Sequence, residues 1–92
     1  MSGRVARDGS TKAARGRRFA QLRSRTRLTQ EQFAQAAGIP RTLVSKLENG
    51  VNAGTSYVTI RAYARATGLA VEIVGDYVED GSGPFAWLGG AS

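Results

Sequence analysis

Apolar positions along the chain change period several times, and each change marks a predicted element. Residues 1–14, MSGRVARDGSTKAA, carry no sustained pattern and read as a basic flexible arm. From Arg15, RGRRFAQLRSRTR brings Phe19, Leu22 and Arg23 onto one face, with Arg17, Arg18, Arg25 and Arg27 around it, which predicts a first helix with a narrow apolar stripe. TQEQFAQAAG then carries a start signal. Thr29 is placed to cap, Gln32 to reach back, and Glu31 lies in the first turn, where the helix dipole favours an anion. The second helix buries Phe33, Ala34 and Ala37; Gly38 supplies a left-handed stop and Pro40 holds Ile39 extended. RTLVSKLENG forms a third helix with Leu43, Val44 and Leu47 on one side, closed by Gly50.

After the loop VNAGTS, Ser56 or Thr55 caps a fourth helix whose face is Tyr57, Ile60, Tyr63 and Ala64, and Gly68 ends it. In LAVEIV, Leu69, Val71 and Ile73 alternate with Ala70, Glu72 and Val74, so residues 69–74 are expected to form a short strand. Residues 75–92 mix Gly, Ser and acids with Phe85 and Trp87 and read as a flexible tail. The expected organisation is an arm (1–14), a helical domain (15–68), a strand (69–74) and an acidic, aromatic tail (75–92).

Composition narrows the chemistry. The 92 residues contain no cysteine and no histidine, which removes disulfides, the common zinc sites and imidazole or thiol catalysis. The expectation is a protein that is not an enzyme and holds no metal or cofactor. No apolar run approaches the roughly 20 residues that span a bilayer, and the N-terminus lacks the apolar core of a secretory signal, so a cytoplasmic location with no membrane partner is expected.

Charge is segregated. Residues 1–27 hold nine cations against Asp8, a net of +8; residues 28–68 hold Arg41, Lys46, Arg61 and Arg65 against Glu31 and Glu48, a net of +2; residues 69–92 hold Glu72, Asp76, Glu79 and Asp80 with no cation, a net of −4. A polyanion partner at one end is one reading, and simple solubility is the other.

The polar side of the third helix decides between them. Two helices joined by a short Gly-containing turn, the second exposing cationic and small polar side chains, are the components of a helix-turn-helix. LRSRTRLTQEQFAQAAGIPRTLVSKLENG resembles the phage-repressor/Cro type, also called the xenobiotic-response-element family. The ordered matches are Leu22-Arg23, Leu28-Thr29-Gln30-Glu31, Ala34, Gly38-Ile39, Val44-Ser45 and Leu47-Glu48-Asn49-Gly50.

The resemblance covers Gly16 to about Gly68 and implies an all-α, lambda-repressor-like bundle of four or five helices, dimeric on double-stranded DNA. It makes Arg41, Thr42, Ser45 and Lys46 the base-reading set. Thr29 and Gln30 match phosphate-binding positions, and Asn49, Asn52, Arg17 and Arg18 join the phosphate-binding set. Arg23 and Glu48 match a partly buried salt bridge, against the alternative of two exposed charges. The chain departs from the family at Pro40, where a side-chain cap is common, and at Leu43, a position more often small and polar.

A strand at 69–74 paired with its copy would bury Leu69, Val71 and Ile73 in a homodimer, a layout similar to the antitoxin branch of the family; an intrachain hairpin through Gly75-Asp76 to YVED is the rival. The arm is expected along the minor groove or across phosphates. Phe85 and Trp87 are read either as a docking segment for a protein such as a toxin, or as a segment that folds back onto the domain or stays disordered. The expectation is a repressor, with the antitoxin of a toxin-antitoxin pair ahead of a phage or plasmid switch protein. A protein-binding inhibitor or adaptor is the alternative of a different class.

Overall fold

The computed structural model describes residues 12–51 and 56–84; Asn52, Thr55, Phe85 and Trp87 lie outside them. Among the described residues the chain forms five helices: α1 (Lys12–Thr26), α2 (Gln30–Ala37), α3 (Arg41–Glu48), α4 (Tyr57–Thr67) and α5 (Val71–Asp80). The first helix begins at Lys12, inside the stretch whose pattern reads as an arm.

Helix boundaries follow the punctuation in the sequence. Thr29 Oγ1 accepts from the Gln32 amide at 3.1 Å, and the Gln32 side chain accepts from the Thr29 amide at 2.9 Å, a complete capping box. Gly38 closes α2 in the left-handed region at φ 75°, where its amide bonds back to Ala34 and Gln35. Pro40 opens α3 with no side-chain cap, and Ser56 Oγ caps α4 by accepting from the Thr59 amide.

The core lies where all five helices meet. Phe19, Leu22, Phe33, Val44, Leu47, Tyr63, Val74, Tyr77 and Val78 are fully buried. The Tyr63 ring sits at the centre, 4.8 Å from Phe19 and 4.7 Å from Phe33 in edge and tilted arrangements that suit the ring quadrupoles. Its hydroxyl is buried without a hydrogen-bond partner. Burial pushes the Tyr63 hydroxyl pKa well above its usual value, and nearby Glu48 pushes the same way.

The strand expectation is corrected, and with it the start of the tail, since residues 75–80 belong to α5. Residues 69–74 form no strand: Leu69 and Ala70 lead into α5, and YVED, the return arm of the rival hairpin, lies within that helix. Val71, Val74 and Val78, with Tyr77, recur at helical spacing, and that face packs on α1 and α4. Gly81 stops the helix at φ 77°. Leu69 and Val71 pack against their own core and Ile73 is half-buried, so no strand edge exists here for a second copy to pair with.

α5 is held at its end as well as along its face. Arg18 Nη1 donates to the Val78 carbonyl at 3.2 Å, beside the last turn, where a cation meets the negative end of the helix dipole. Tyr77 donates its hydroxyl to Gln21 Oε1 at 2.5 Å. Burial raises the Tyr77 pKa.

Candidate nucleic-acid interface

The short turn Gly38-Ile39-Pro40 lets α2 pack directly on α3. Val44 and Leu47 fix α3 to the core, and Leu43 packs half-buried beside them. Leu43 therefore works as a packing residue of α3, which accounts for an apolar side chain at a position the family more often makes polar. The opposite side of α3 is open: Arg41, Thr42, Lys46 and Asn49 are exposed and Ser45 is half-buried. Positions 41, 42, 45, 46 and 49 form a continuous face at 3.6 residues per turn, so the four expected base-reading residues lie together on one surface.

Behind that face runs a polar chain linking three helices. Arg23 of α1 grips Glu48 with two bonds, Nε to Oε2 at 2.5 Å and Nη2 to Oε1 at 3.0 Å, and spends Nη1 on the Leu28 carbonyl at 2.9 Å. The Glu48 side chain is only 8% exposed and that of Arg23 21%, so this is the partly buried structural pair. The hydrogen bond to Glu48 raises the Arg23 pKa above its already high ordinary value, against the lowering effect of burial. Arg23 is a permanent cation there.

Gln30, the first residue of α2, extends the chain. It donates Nε2 to Glu48 Oε1 at 3.0 Å and accepts from Arg41 Nη1 at 3.4 Å through Oε1. The amide thus bridges the buried ion pair and the leading residue of α3, retaining a second N–H for an approaching phosphate. Sequence reasoning identified Gln30 only as a phosphate contact. A glutamine beside Thr29 carries no sign of the Glu48 bond, because the two residues are 18 apart in the chain.

The remaining candidates differ in how free they are. Thr29 is exposed; its oxygen accepts the cap bond and its hydroxyl proton remains available for a phosphate oxygen. Asn49 folds back, donating Nδ2 to the Ser45 carbonyl at 2.9 Å. Arg17 is exposed, whereas Arg18 is committed to the end of α5, away from the α3 face.

Two glycines missed as site residues set where α1 meets α3. A Cβ on Gly16 would fall 2.7 Å from Gly50 N and 2.8 Å from Glu48 O; one on Gly50, at φ 81°, would fall 3.1 Å from Lys12 O. The backbones of α1 and the end of α3 touch. A glycine inside the arginine-rich first helix was the available signal.

Among the described residues no three carboxylates cluster as a metal site, and no helix is long and apolar enough to cross a membrane. A family model described as a helix-turn-helix domain matches residues 16–73, the span from the Gly16 contact into α5. No curated protein and no solved structure gives a significant match. With that match over more than half its length, and with the α2–turn–α3 geometry in place, the chain belongs to the helix-turn-helix family, in keeping with its resemblance to phage-repressor/Cro domains.

Proposed function

We propose that the protein is a sequence-specific regulator of transcription that binds double-stranded DNA in the cytoplasm and represses by occluding promoter DNA, acting as a homodimer on two half-sites. The observation that carries this is the outward face of α3, where Arg41, Thr42 and Lys46 are exposed while Val44 and Leu47 are fully buried. An arginine at the leading end can donate two parallel bonds to guanine O6 and N7, and Thr42 reaches a base edge or a thymine methyl. Thr29 and the free amides at the start of α2 then take a phosphate. The Gln30 bridge holds Arg41 before DNA arrives, which lowers the ordering cost of its contact.

An autoregulating antitoxin remains the preferred setting, ahead of a phage or plasmid switch. Its support now rests on the acidic, aromatic composition of residues 75–92, since the strand similar to the antitoxin branch is replaced by α5. A small toxin-like reading frame beside the gene supports that setting, and integration or excision genes support the other.

The test is selection of binding sites from a random duplex library, followed by gel shifts. Arg41→Ala is expected to weaken binding by roughly 5- to 150-fold and to relax preference at one base pair. Lys46→Ala, if its partner is a phosphate, weakens all sequences alike and reduces the logarithmic salt slope by about 0.9. A double variant with unchanged affinity and selectivity refutes the assignment.

A further inference from the structure

Away from α3, two stripes of opposite charge lie on neighbouring helices without ion-pair partners. On α4, Val58, Arg61 and Arg65 project outward, with Tyr57 beside them. Val51, Tyr57 and Val58 are the large apolar residues left exposed among the described residues, at 57%, 66% and 74%. Arg61 lies over the Tyr57 ring at 5.7 Å from its centre. Between this stripe and the end of α2 is a groove of about 190 Å³, lined by Ala37, Ile39 and Ala62 and rimmed by Val58, Arg61 and Arg65. On α5, Glu72, Asp76 and Glu79 are exposed on one side, with half-buried Ile73 next to them. None of these five charged side chains forms an ion pair among the described residues.

We propose that the α4 stripe of one copy docks on the α5 stripe of a second copy, making the contact twice about a two-fold axis. Spacing and sign both favour a second copy as the occupant. Arg61 and Arg65 are four residues apart, as are Glu72 and Asp76, so each pair spans the same ~6 Å along its helix and the two register side by side. Ile73 lies between the two carboxylates along α5 and supplies the apolar group that Val58 and the groove lack. Because both stripes belong to one chain, a two-fold arrangement makes the contact twice and yields two equivalent sets of ion pairs. DNA would satisfy the arginines alone, leaving Val58, Tyr57 and the acidic stripe without partners.

This rests on the homodimer of the regulator reading and adds which surfaces form it; the test needs no DNA, and charge variants that dimerise normally overturn the contact while leaving DNA binding standing. The full chain is examined by sedimentation and light scattering over a concentration series. Wild type is expected to be a dimer. Arg61→Glu/Arg65→Glu and, separately, Glu72→Arg/Asp76→Arg place like charges opposite one another twice and should each raise the dissociation constant at least about tenfold, with far-UV circular dichroism unchanged. Mixed in equal amounts, the two variants restore opposite charges at both contacts and should form a heterodimer. A monomeric wild type, a variant that dimerises as wild type does, or a mixture that stays monomeric overturns the proposal. So does an arginine variant that keeps the dimer and loses only DNA binding, which would assign Arg61 and Arg65 to phosphate contact.

Discussion

Replacing Arg23 with methionine tests the polar chain behind α3. The substitution keeps the aliphatic stem and removes two bonds to Glu48 and one to the Leu28 carbonyl. Glu48 is left at 8% side-chain exposure, with the Gln30 amide as its remaining partner among these contacts. Breaking a fully buried pair costs about 3–5 kcal/mol, and breaking an exposed one under about 1 kcal/mol. The 21% exposure of Arg23 places this pair between the limits but nearer the buried one, because the charge left behind is the better buried of the two. A loss of roughly 2–4 kcal/mol is expected, a large share of the 5–15 kcal/mol typical of whole domains and equivalent to about 10–25 °C in Tm. Urea titration followed by far-UV circular dichroism measures it. Arg23→Met/Glu48→Gln removes both charges and leaves Gln30 an acceptor, so it should recover about half of the loss or more. A single variant within about 0.5 kcal/mol of wild type, or a double variant no better than the single, refutes the buried-charge argument.

Two further predictions concern packing. Gly16→Ala places a methyl 2.7 Å from the Gly50 amide nitrogen, where backbone rather than a flexible side chain must yield; net destabilisation of about 1–2 kcal/mol is expected despite better helix propensity. Gly75→Ala is its control within α5, since a methyl there meets Ile60 Cγ2 at 3.8 Å, an ordinary contact, and the urea midpoint should rise. Tyr63→Phe removes a buried hydroxyl with no partner and should leave stability at neutral pH unchanged or higher by up to about 1 kcal/mol. It also tests a pH dependence. Because the folded pKa of Tyr63 lies above its ordinary value of 10.0, the unfolded chain loses that proton first, so the stability tied to the neutral hydroxyl is intact below pH 10.0 and declines above it. Tyr77 contributes in the same direction, so the variant should show a shallower alkaline decline; equal slopes refute the assignment to Tyr63.

What the sequence discloses depends on how local the cause is. Thr29 with Gln32, Gly38 and Pro40 act within a few residues, and the boundaries of α2 and the start of α3 follow from them. LAVEIV misleads because Leu69, Val71 and Ile73 alternate and β-branched residues favour strands, whereas the helical repeat that decides the matter, Val71, Val74, Tyr77 and Val78, runs past Gly75. Gly75 weakens that repeat by propensity. Burial of Val74, Tyr77 and Val78 against α1 and α4 outweighs it, a tertiary effect that no short window contains. On α3, helical period separates Leu43, Val44 and Leu47 from the polar side, and the family resemblance is what sets Glu48 apart from the outward residues. The bond from Gln30 to Glu48 and the Gly16–Gly50 contact required the fold, since each joins residues far apart in sequence.

These long-range contacts explain how an eight-residue helix can leave its outer face free for the proposed recognition. α3 is too short to be stable by itself and has no side-chain cap at Pro40. Its start is fixed by the three-residue turn from α2, its middle by Val44 and Leu47, and its end by Arg23 on Glu48 and by the backbone of α1 at Gly16. None of these supports uses the side chains of Thr42 or Lys46, and Arg41 adds only an exposed bond to Gln30. Stability and the proposed recognition are therefore assigned to different residues. Substitutions at positions 41, 42 and 46 should alter which duplex is bound while keeping the fold within about 0.5 kcal/mol, the range of surface changes that break no buried contact. Changes at Arg23, Gly16 or Leu47 weaken binding to every duplex together, because they release the helix that carries the readers.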